Sequence, residues 1–285
     1  MFALTVQPPP RNMKTKTWQE LLKAPDNTDH IVQVYQDTAF LIEAVAAYVV
    51  AGFQRGEAAI VITRPAHSVL LEKGLRSAGF SIETLLADGQ LTLFDAAETL
   101  TGFMKDGMPV WSDFRNLLGG IIAELRLRYP GVRAYGEMVD ILWQEGQRDA
   151  AIKLEQFWNE LIAMQTFSLF CSYRMDNTAP ASYSGPLQRV CRVHSHLIPA
   201  RNYDAFNKSV IEASEAVLGK PLVRALRNVS GRAAPPADMP EGQAQLLWLR
   251  DWMPSTADKV LAKLRAEYAT PTATTQGRSD ASSTS

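Results

Sequence analysis

Residues 30–63 read HIVQVYQDTAFLIEAVAAYVVAGFQRGEAAIVIT and indicate the fold class more directly than any other part of the chain. The stretch begins with the short β-branched run His30–Tyr35, which predicts a strand. Apolar residues at helical spacing follow over residues 37–52, and Gly52 is a typical residue at which a helix ends. The continuous apolar run Ala58–Thr63 predicts a second strand that is covered on both faces. This order of strand, helix and strand predicts a parallel βαβ unit.

The same alternation continues along the chain. Further strands are predicted over residues 91–94, 132–136 and 167–173, and further helices over 65–78, 96–104, 112–128 and 149–164. Strands that are separated by helices of this length need crossover connections. The sequence therefore predicts a three-layer α/β domain with a mainly parallel sheet over residues 29–199. Residues 187–197 are predicted to add an edge strand to this sheet.

The segments outside this domain differ from it in composition. Residues 1–28 are polar and rich in proline, which predicts a flexible N-terminal arm with one helical turn near residues 18–22. Residues 200–269 predict a small helical C-terminal region, with helices over 204–218, 221–228, 243–252 and 256–268. Residues 270–285 consist mainly of Thr, Ser, Ala and Gly, and such a segment buries too little apolar surface to fold. We predict that it is a disordered tail.

The charge and the apolar content restrict the class of protein. The chain has 29 Lys and Arg against 30 Asp and Glu, a net charge of -1. This balance gives no overall field that would attract nucleic acid or an anionic membrane, so direct binding to either is not expected. The longest apolar stretch, residues 44–53, is far shorter than the roughly 20 residues of a membrane helix. Two cysteines and the lack of a signal peptide predict a cytoplasmic protein.

Several segments together resemble a known family. They are HIVQVYQDTAFL (30–41), YVVAGFQRGEAAIVIT (48–63), VRAYGEMVDILWQEGQRDAAIKLEQFWNEL (132–161), FSLFCSYRM (167–175) and CRVHSHLIP (191–199). These segments resemble the MEDS domain, a bacterial sensory domain named for methanogens, methylotrophs and the dichloromethane-responsive regulator DcmR. The resemblance covers about residues 29–200, and its most specific part runs from Gly136 to Asn159.

The resemblance implies a non-catalytic protein of signal transduction. Such a protein would bind a small, hydrocarbon-derived ligand or a protein partner, and no cofactor is implied. Relatives carry the domain joined to a DNA-binding helix-turn-helix or to a histidine kinase, and neither pattern is found in this sequence. The expected partners are therefore a small-molecule ligand, a separate signalling protein such as a histidine kinase or a regulator, and a second copy of the chain in a homodimer.

The family is also similar in fold to the RecA/KaiC-type ATPases, which hold phosphates in a glycine-rich loop after the first strand. The backbone N–H groups of that loop and a lysine at its end bind the phosphate oxygens. Residues 35–41 of this chain read YQDTAFL, without glycine or lysine, and Asp37 would repel a triphosphate. We therefore expect a degenerate RecA/KaiC-like fold without ATP hydrolysis. The alternative is a degenerate nucleotide-binding protein, or an enzyme that uses the crevice at the strand ends.

Ligands of open parallel sheets bind beyond the carboxyl ends of the strands. The candidate ligand-binding residues at these ends are Tyr35, Gln36, Asp37, Arg64, His67, Tyr135, Glu137 and Arg174, and Asp95 and Tyr173 end strands as well. Ordinary polar loop residues are the alternative interpretation of this set. For Glu137 the specific alternative is an ion pair with Arg133 or with an arginine of the rim.

Neither a metal site nor a catalytic residue is predicted. Cys191, His194 and His196 are candidate zinc ligands by residue type, but zinc in a structural site takes four ligands. On a strand the two histidines would point to one side and Cys191 to the other. We therefore assign these three residues to packing or hydrogen bonding. Cys171 lies in an apolar strand and is predicted to be a core residue, and His30 is assigned to capping or packing.

Overall fold

The computed structural model describes residues 16–233 and 237–268 of the chain, without the side chains of residues 228–233, 267 and 268. The strands are β1 (His30–Tyr35), β2 (Ala58–Thr63), β3 (Leu91–Asp95), β4 (Met104–Lys105), β5 (Met108–Pro109), β6 (Val132–Gly136), β7 (Ser168–Arg174) and β8 (His196–Ile198). Six of them form one sheet in the order β3-β2-β6-β7-β1-β8, and each is parallel to its neighbours. The α/β class with a parallel sheet is confirmed.

Helices cover both faces of this sheet. They are α1 (Trp18–Lys23), α2 (Thr38–Gln54), α3 (Pro65–Ser77), α4 (Ile82–Ala87), α5 (Ala96–Thr101), α6 (Trp111–Phe114), α7 (Gly120–Arg128), α8 (Met138–Gln144), α9 (Arg148–Met164), α10 (Pro180–Tyr183), α11 (Pro186–Cys191), α12 (Tyr203–Leu218), α13 (Lys220–Ala233), α14 (Glu241–Trp252) and α15 (Pro254–Tyr268), with a π-helical segment, Arg115–Gly119, between α6 and α7.

The strands bury side chains on both faces because successive residues of a strand point in opposite directions. On one face, residues such as Ile31 and Val61 pack against α1–α4. On the other face, residues such as Val32 and Ile60 pack against α5–α9 and the C-terminal helices. Each face therefore has its own hydrophobic core, as the unbroken apolar run of β2 predicts.

The prediction of an edge strand over residues 187–197 is wrong for the first half of this range. Pro186 starts helix α11, because the fixed φ of proline suits the first position of a helix. Leu187, Val190 and Cys191 then lie on one buried face at helical spacing. The strand itself, β8, is three residues long, and the backbone of Asp238 pairs along its outer side.

The helix predicted over residues 96–104 is too long. It ends at Thr101, and the chain then forms a short antiparallel hairpin from β4 and β5. Asp106 and Gly107 connect these strands with φ angles of 50° and 76°. An Asp-Gly pair favours this left-handed turn, because glycine adopts positive φ without steric cost. The dipeptide was the available signal for the hairpin.

The flexible arm predicted for residues 1–28 does not extend over helix α1. Trp18 of this helix is buried, its ring packs edge-on against Phe40, and its Nε1 donates to the backbone carbonyl of Arg201 at 2.6 Å. A capping box between Thr17 and Glu20 closes the start of the helix. The helix is therefore part of the folded protein, while residues 1–15 lie outside the described residues.

Arg133 of β6 connects α1 to the sheet. Its side chain is buried, and its Nη1 donates to the backbone carbonyls of Leu22 and Tyr48, each at 2.8 Å. Its Nη2 donates to the carbonyl of Lys23 at 3.2 Å, and its Nε donates to Glu57 Oε2 at 2.5 Å. The guanidinium also lies 5.1 Å from the centre of the Tyr48 ring. One charged side chain of β6 thus contacts α1, α2 and the residue that precedes β2.

The predicted C-terminal helices are present, and they share a core with the α/β domain. Phe206 of α12, Leu246 of α14 and Val260 of α15 belong to the same buried cluster as Val32 of β1. The tail predicted over residues 270–285 lies outside the described residues. None of the helices in the described part of the chain combines the length and the apolar character needed to cross a membrane.

His196 of β8 forms ion pairs on two sides, with Asp29 Oδ1 at 3.2 Å and Asp238 Oδ2 at 3.6 Å. Burial alone would lower the pKa of His196, but the contacts with Asp238 and Asp29 raise it to about 9. The stabilising effect is therefore complete below the ordinary pKa of 6.5 and is lost as the pH rises through 9.

We expect the wild type to be more stable than the His196→Gln variant by about 1 kcal/mol at pH 6. The difference should disappear towards pH 10, because the imidazole is then neutral in both the folded and the unfolded state. Urea unfolding of both proteins at several pH values measures it. A difference that stays constant with pH would contradict the ion pairs.

Candidate functional site

Five of the eight predicted site residues lie together at the carboxyl ends of the strands. Tyr35 ends β1, Arg64 follows β2 directly, and His67 lies in the first turn of α3. Tyr135 belongs to β6, and Glu137 lies between β6 and α8. These short connections bring polar side chains from three strands to one edge of the sheet. The arrangement agrees with the general position of sites in parallel α/β sheets.

Glu137 is fully buried and accepts five hydrogen bonds. Its Oε1 accepts from Thr63 Oγ1 at 2.7 Å, from His67 Nδ1 at 2.8 Å and from the Tyr135 hydroxyl at 2.9 Å. Its Oε2 accepts from the backbone N–H and from Nη1 of Arg64, at 3.0 and 3.2 Å. Burial alone would raise the pKa of Glu137, but His67, Thr63 and Arg64 lower it. The carboxyl group is therefore ionised in spite of its burial.

Asp140 is a second buried carboxylate, and it was missed by the sequence analysis. Its Oδ2 accepts from Arg64 Nη2 at 2.9 Å and from the Tyr35 hydroxyl at 3.4 Å. Its Oδ1 accepts from the backbone N–H of Arg174 at 2.8 Å and from Gln144 Nε2 at 3.0 Å. An acid within the otherwise apolar run of residues 138–143 was the available signal. A buried acid in such a run needs partners, and they lie at the same edge of the sheet.

Arg64 connects the two buried carboxylates. We call the residues that these contacts join the Glu137 network: Tyr35, Thr63, Arg64, His67, Tyr135, Glu137, Asp140 and Gln144. The side chain of Arg64 is 29% exposed, while the two acids that it contacts are buried. Burial alone would lower the pKa of Arg64, but Asp140 and Glu137 raise it. Of the two alternatives for Glu137, the ion pair with a rim arginine is confirmed and the pair with Arg133 is wrong.

The other predicted site residues do not join this network with their side chains. Asp37 caps α2, since its Oδ1 accepts from the backbone N–H of Ala39 at 2.9 Å. Gln36 is exposed and contacts Asp176, and Arg174 is exposed and reaches the network only through its backbone. Two further residues at strand ends lie outside the Glu137 network. Asp95 caps α5, and Tyr173 lies on the opposite face of the sheet, where its hydroxyl donates to Glu155.

An open depression of about 330 Å³ lies beside the network, at the carboxyl ends of β2 and β3. It is lined by Thr63, Pro65, Ser68, Val69, Leu93, Phe94 and Asp95. Four of these residues are apolar, Pro65, Val69, Leu93 and Phe94, and the other three are polar. We call it the β2–β3 depression. Thr63 belongs both to the depression and to the Glu137 network.

The segment CRVHSHLIP does not continue the edge strand predicted over residues 187–197. Cys191 ends α11 and the strand begins only at His196, so His194 lies in an irregular connection. His194 consequently points into the protein, while His196 contacts the acids at the sheet edge. Both cysteines are buried, as predicted for Cys171. Burial raises the pKa of the Cys191 thiol to about 12.

The family model of MEDS, described as the MEthanogen/methylotroph, DcmR Sensory domain, matches residues 29–195. The matched region begins directly before β1 and ends directly before β8, and it contains the whole Glu137 network. A search of the curated proteins finds no match for this chain.

Proposed function

Because this chain belongs to the MEDS family of sensory domains, we propose that it is a non-catalytic sensor that binds a small hydrocarbon derivative in the β2–β3 depression. The depression itself is the observation that carries this proposal. Its volume of about 330 Å³ lies near the lower end of the range for small-molecule pockets, roughly 300–1,000 Å³. An apolar lining with a few polar groups suits a small molecule that has one polar end.

The connection between β1 and α2 argues against a nucleoside triphosphate as the ligand. Only Gln36 and Asp37 separate β1 from α2, so the chain has no room for a phosphate-binding loop. The Asp37 carboxylate already accepts from the N–H of Ala39, one of the amides that would face a phosphate. A bound phosphate would have to displace this carboxylate and overcome its charge.

Thr63 connects the β2–β3 depression to the buried Glu137 network. Its backbone ends β2, its side chain lines the depression, and its hydroxyl donates to Glu137 at 2.7 Å. Helices α3 and α8 both begin next to the Glu137 network. A ligand that displaces the Thr63 hydroxyl would therefore disturb the starts of two helices. We propose that a signalling protein, a histidine kinase or a regulator, responds to this change by direct contact.

Ligand binding is tested by thermal unfolding of the full chain with methanol, methylamine, dichloromethane and a small-metabolite fraction of a cell lysate. A ligand at 100 times its Kd stabilises a protein by about 2.7 kcal/mol, which raises the Tm by about 5 °C. We expect at least one of these samples to produce such a shift. A protein whose Tm responds to none of them would contradict the sensory proposal.

The position of the ligand is tested with the Val69→Asp variant. Val69 lines the depression and is 68% exposed, so an acid here changes the lining without disturbing the core. Leu127→Asp on α7 is the matched control, because Leu127 is 89% exposed and lies outside the lining. We expect the thermal shift to disappear in Val69→Asp and to persist in Leu127→Asp. A shift that persists in both variants would place the ligand elsewhere.

A further inference from the structure

A second group of chemically reactive side chains lies on the other face of the sheet. It consists of His30 at the start of β1, Cys171 in β7, Glu155 in α9 and His194 before β8, and we call it the His30 cluster. The side chains are at most 3% exposed. Four residues that are far apart in sequence thus bring a thiol, a carboxyl group and two imidazoles together at one buried site.

Four contacts within the His30 cluster, three among His30, Cys171 and Glu155 Oε2 and one between His194 and Glu155 Oε1, have lengths close to the separation of neighbouring ligands around zinc. His30 Nε2 lies 3.2 Å from Glu155 Oε2 and 3.4 Å from Cys171 Sγ. Cys171 Sγ lies 3.5 Å from Glu155 Oε2, and His194 Nε2 lies 3.3 Å from Glu155 Oε1. Each residue offers one atom to a group in which all atoms lie within 4.8 Å of one another. Zinc bonds of about 2.0–2.3 Å in tetrahedral geometry separate neighbouring ligand atoms by about 3.2–3.6 Å.

In both imidazoles one ring nitrogen points into the cluster, and the other ring nitrogen lies at hydrogen-bonding distance from an oxygen atom outside it. His194 Nδ1 lies 2.7 Å from the carbonyl oxygen of Val190, which can only accept, so Nδ1 carries the hydrogen. His30 Nδ1 lies 2.8 Å from Asn159 Oδ1. The amide of Asn159 is oriented by its donation to the carbonyl of Val193 at 2.8 Å, so its oxygen faces His30.

In the neutral rings, Nε2 of each histidine therefore carries a lone pair that faces the cluster. A histidine that binds a metal almost always donates its other N–H to a carbonyl or carboxylate in this way. Within the described residues, His194 Nε2 makes no hydrogen bond, although its side chain is fully buried. With the hydrogen on Nδ1, the Nε2 lone pair of His194 faces Glu155 Oε1 at 3.3 Å with no hydrogen between the two atoms, and a metal ion bound by both would satisfy them.

We propose that His30, Glu155, Cys171 and His194 bind one divalent transition-metal ion, and that zinc is the ion that fits the site. Zinc takes cysteine, histidine and carboxylate ligands in tetrahedral geometry. The Cys171 thiolate and the Glu155 carboxylate carry two negative charges, which a divalent ion neutralises. Binding forms the metal–sulfur bond and releases the thiol proton of Cys171 to solvent. The Tyr173 hydroxyl donates to Glu155 Oε1 at 2.7 Å and so orients this ligand.

Four protein ligands leave no open position, which is the arrangement of a structural zinc site. The ion holds the segment before β8 to β1, β7 and α9, and through it the C-terminal helices. This role is independent of ligand binding in the β2–β3 depression and goes beyond it. The sequence analysis predicted no metal site because it grouped His194 with Cys191 and His196. In the structure His194 lies instead beside His30, Glu155 and Cys171.

Metal analysis of the full chain tests the proposal without any variant. The protein is purified without a metal-affinity tag and without chelator, and its zinc content is measured by mass spectrometry. We expect about one zinc per chain, and a lower Tm after removal of the metal with a chelator. Cobalt(II) added to the metal-free protein should produce the near-ultraviolet absorption of a cobalt–thiolate bond. If the purified protein contained no zinc and developed no such absorption with cobalt, the proposal would be wrong. The histidines and Glu155 would then share a proton in place of the metal.

Two cysteine variants identify the ligand. Cys171→Ser should lose the cobalt–thiolate absorption and most of the bound zinc. Cys191→Ser is the matched control, because Cys191 is equally buried in the same core but lies outside the His30 cluster. The Cys191→Ser variant should keep both the cobalt–thiolate absorption and the bound zinc. Far-ultraviolet circular dichroism checks that each variant is folded, and loss of the absorption in Cys191→Ser alone would contradict the assignment.

Discussion

Replacing Glu137 by leucine is expected to destabilise the protein by about 3–5 kcal/mol, because it removes one partner of a buried ion pair. Arg64, Thr63, His67 and Tyr135 all donate to this carboxylate and would lose it as an acceptor. Total stabilities of about 5–15 kcal/mol are typical, so the loss is a large fraction of the whole. Urea unfolding with linear extrapolation measures it.

The matched control for this change is Glu124→Leu on α7. Glu124 is exposed, and the same exchange at an exposed position changes stability by about 0.5 kcal/mol or less. A loss below about 1 kcal/mol in Glu137→Leu would show that the Glu137 network contributes little to folding.

The pH dependence gives a second readout for Glu137. Because its pKa is lower in the folded protein, its stabilising effect is present above the ordinary carboxyl pKa of 4.5 and is lost as the pH falls through the folded value. The stability difference between wild type and Glu137→Leu should therefore shrink below pH 4.5.

Replacing Arg133 by methionine is expected to cost about 3 kcal/mol and to release α1 from the domain. The backbone carbonyls of Leu22, Lys23 and Tyr48 lose their buried donor, and Glu57 loses its closest cation. Methionine retains most of the side-chain volume, so the change tests the hydrogen bonds and the charge more than the packing. Urea unfolding measures the stability, and hydrogen exchange of residues 18–23 measures the release of α1.

Arg126→Met on α7 is the control for this second prediction, since Arg126 is exposed. It should leave both the stability and the exchange of α1 unchanged. If α1 remained protected in Arg133→Met, its attachment would depend on Trp18 and the contacts around it, and the role given to Arg133 would be wrong.

The strands were predictable from sequence because they are buried on both faces. The runs HIVQVY and AAIVIT coincide with β1 and β2, and VRAYG coincides with β6. Gly52 shows where local signals fail. It was taken as the end of α2, but the helix continues to Gln54. A Cβ atom at Gly52 would lie 2.7 Å from Arg133 Cδ, so this glycine makes room for a side chain 81 residues further on.

The candidate site was predictable where a side chain follows a strand end directly. Arg64 and Glu137 were found on this rule, and they form the centre of the network. Asp37 lies one residue further from its strand end, α2 begins immediately after it, and its carboxylate caps the helix. The His30 cluster could not be predicted, because the contact between His30 and Cys171 depends on the pairing of β1 with β7. That pairing depends on the order of strands in the sheet, which the sequence pattern does not specify.

The short strand β8 has a consequence for self-association. An unpaired strand at the rim of a sheet is a template to which another molecule can add a strand, as happens in aggregation and in domain swapping. In this protein Asp238 occupies the outer side of β8, since its N–H donates to the Ser195 carbonyl at 2.6 Å and its carbonyl accepts from Leu197 at 2.8 Å. Intermolecular strand addition at this rim would first require the backbone of Asp238 to detach from β8.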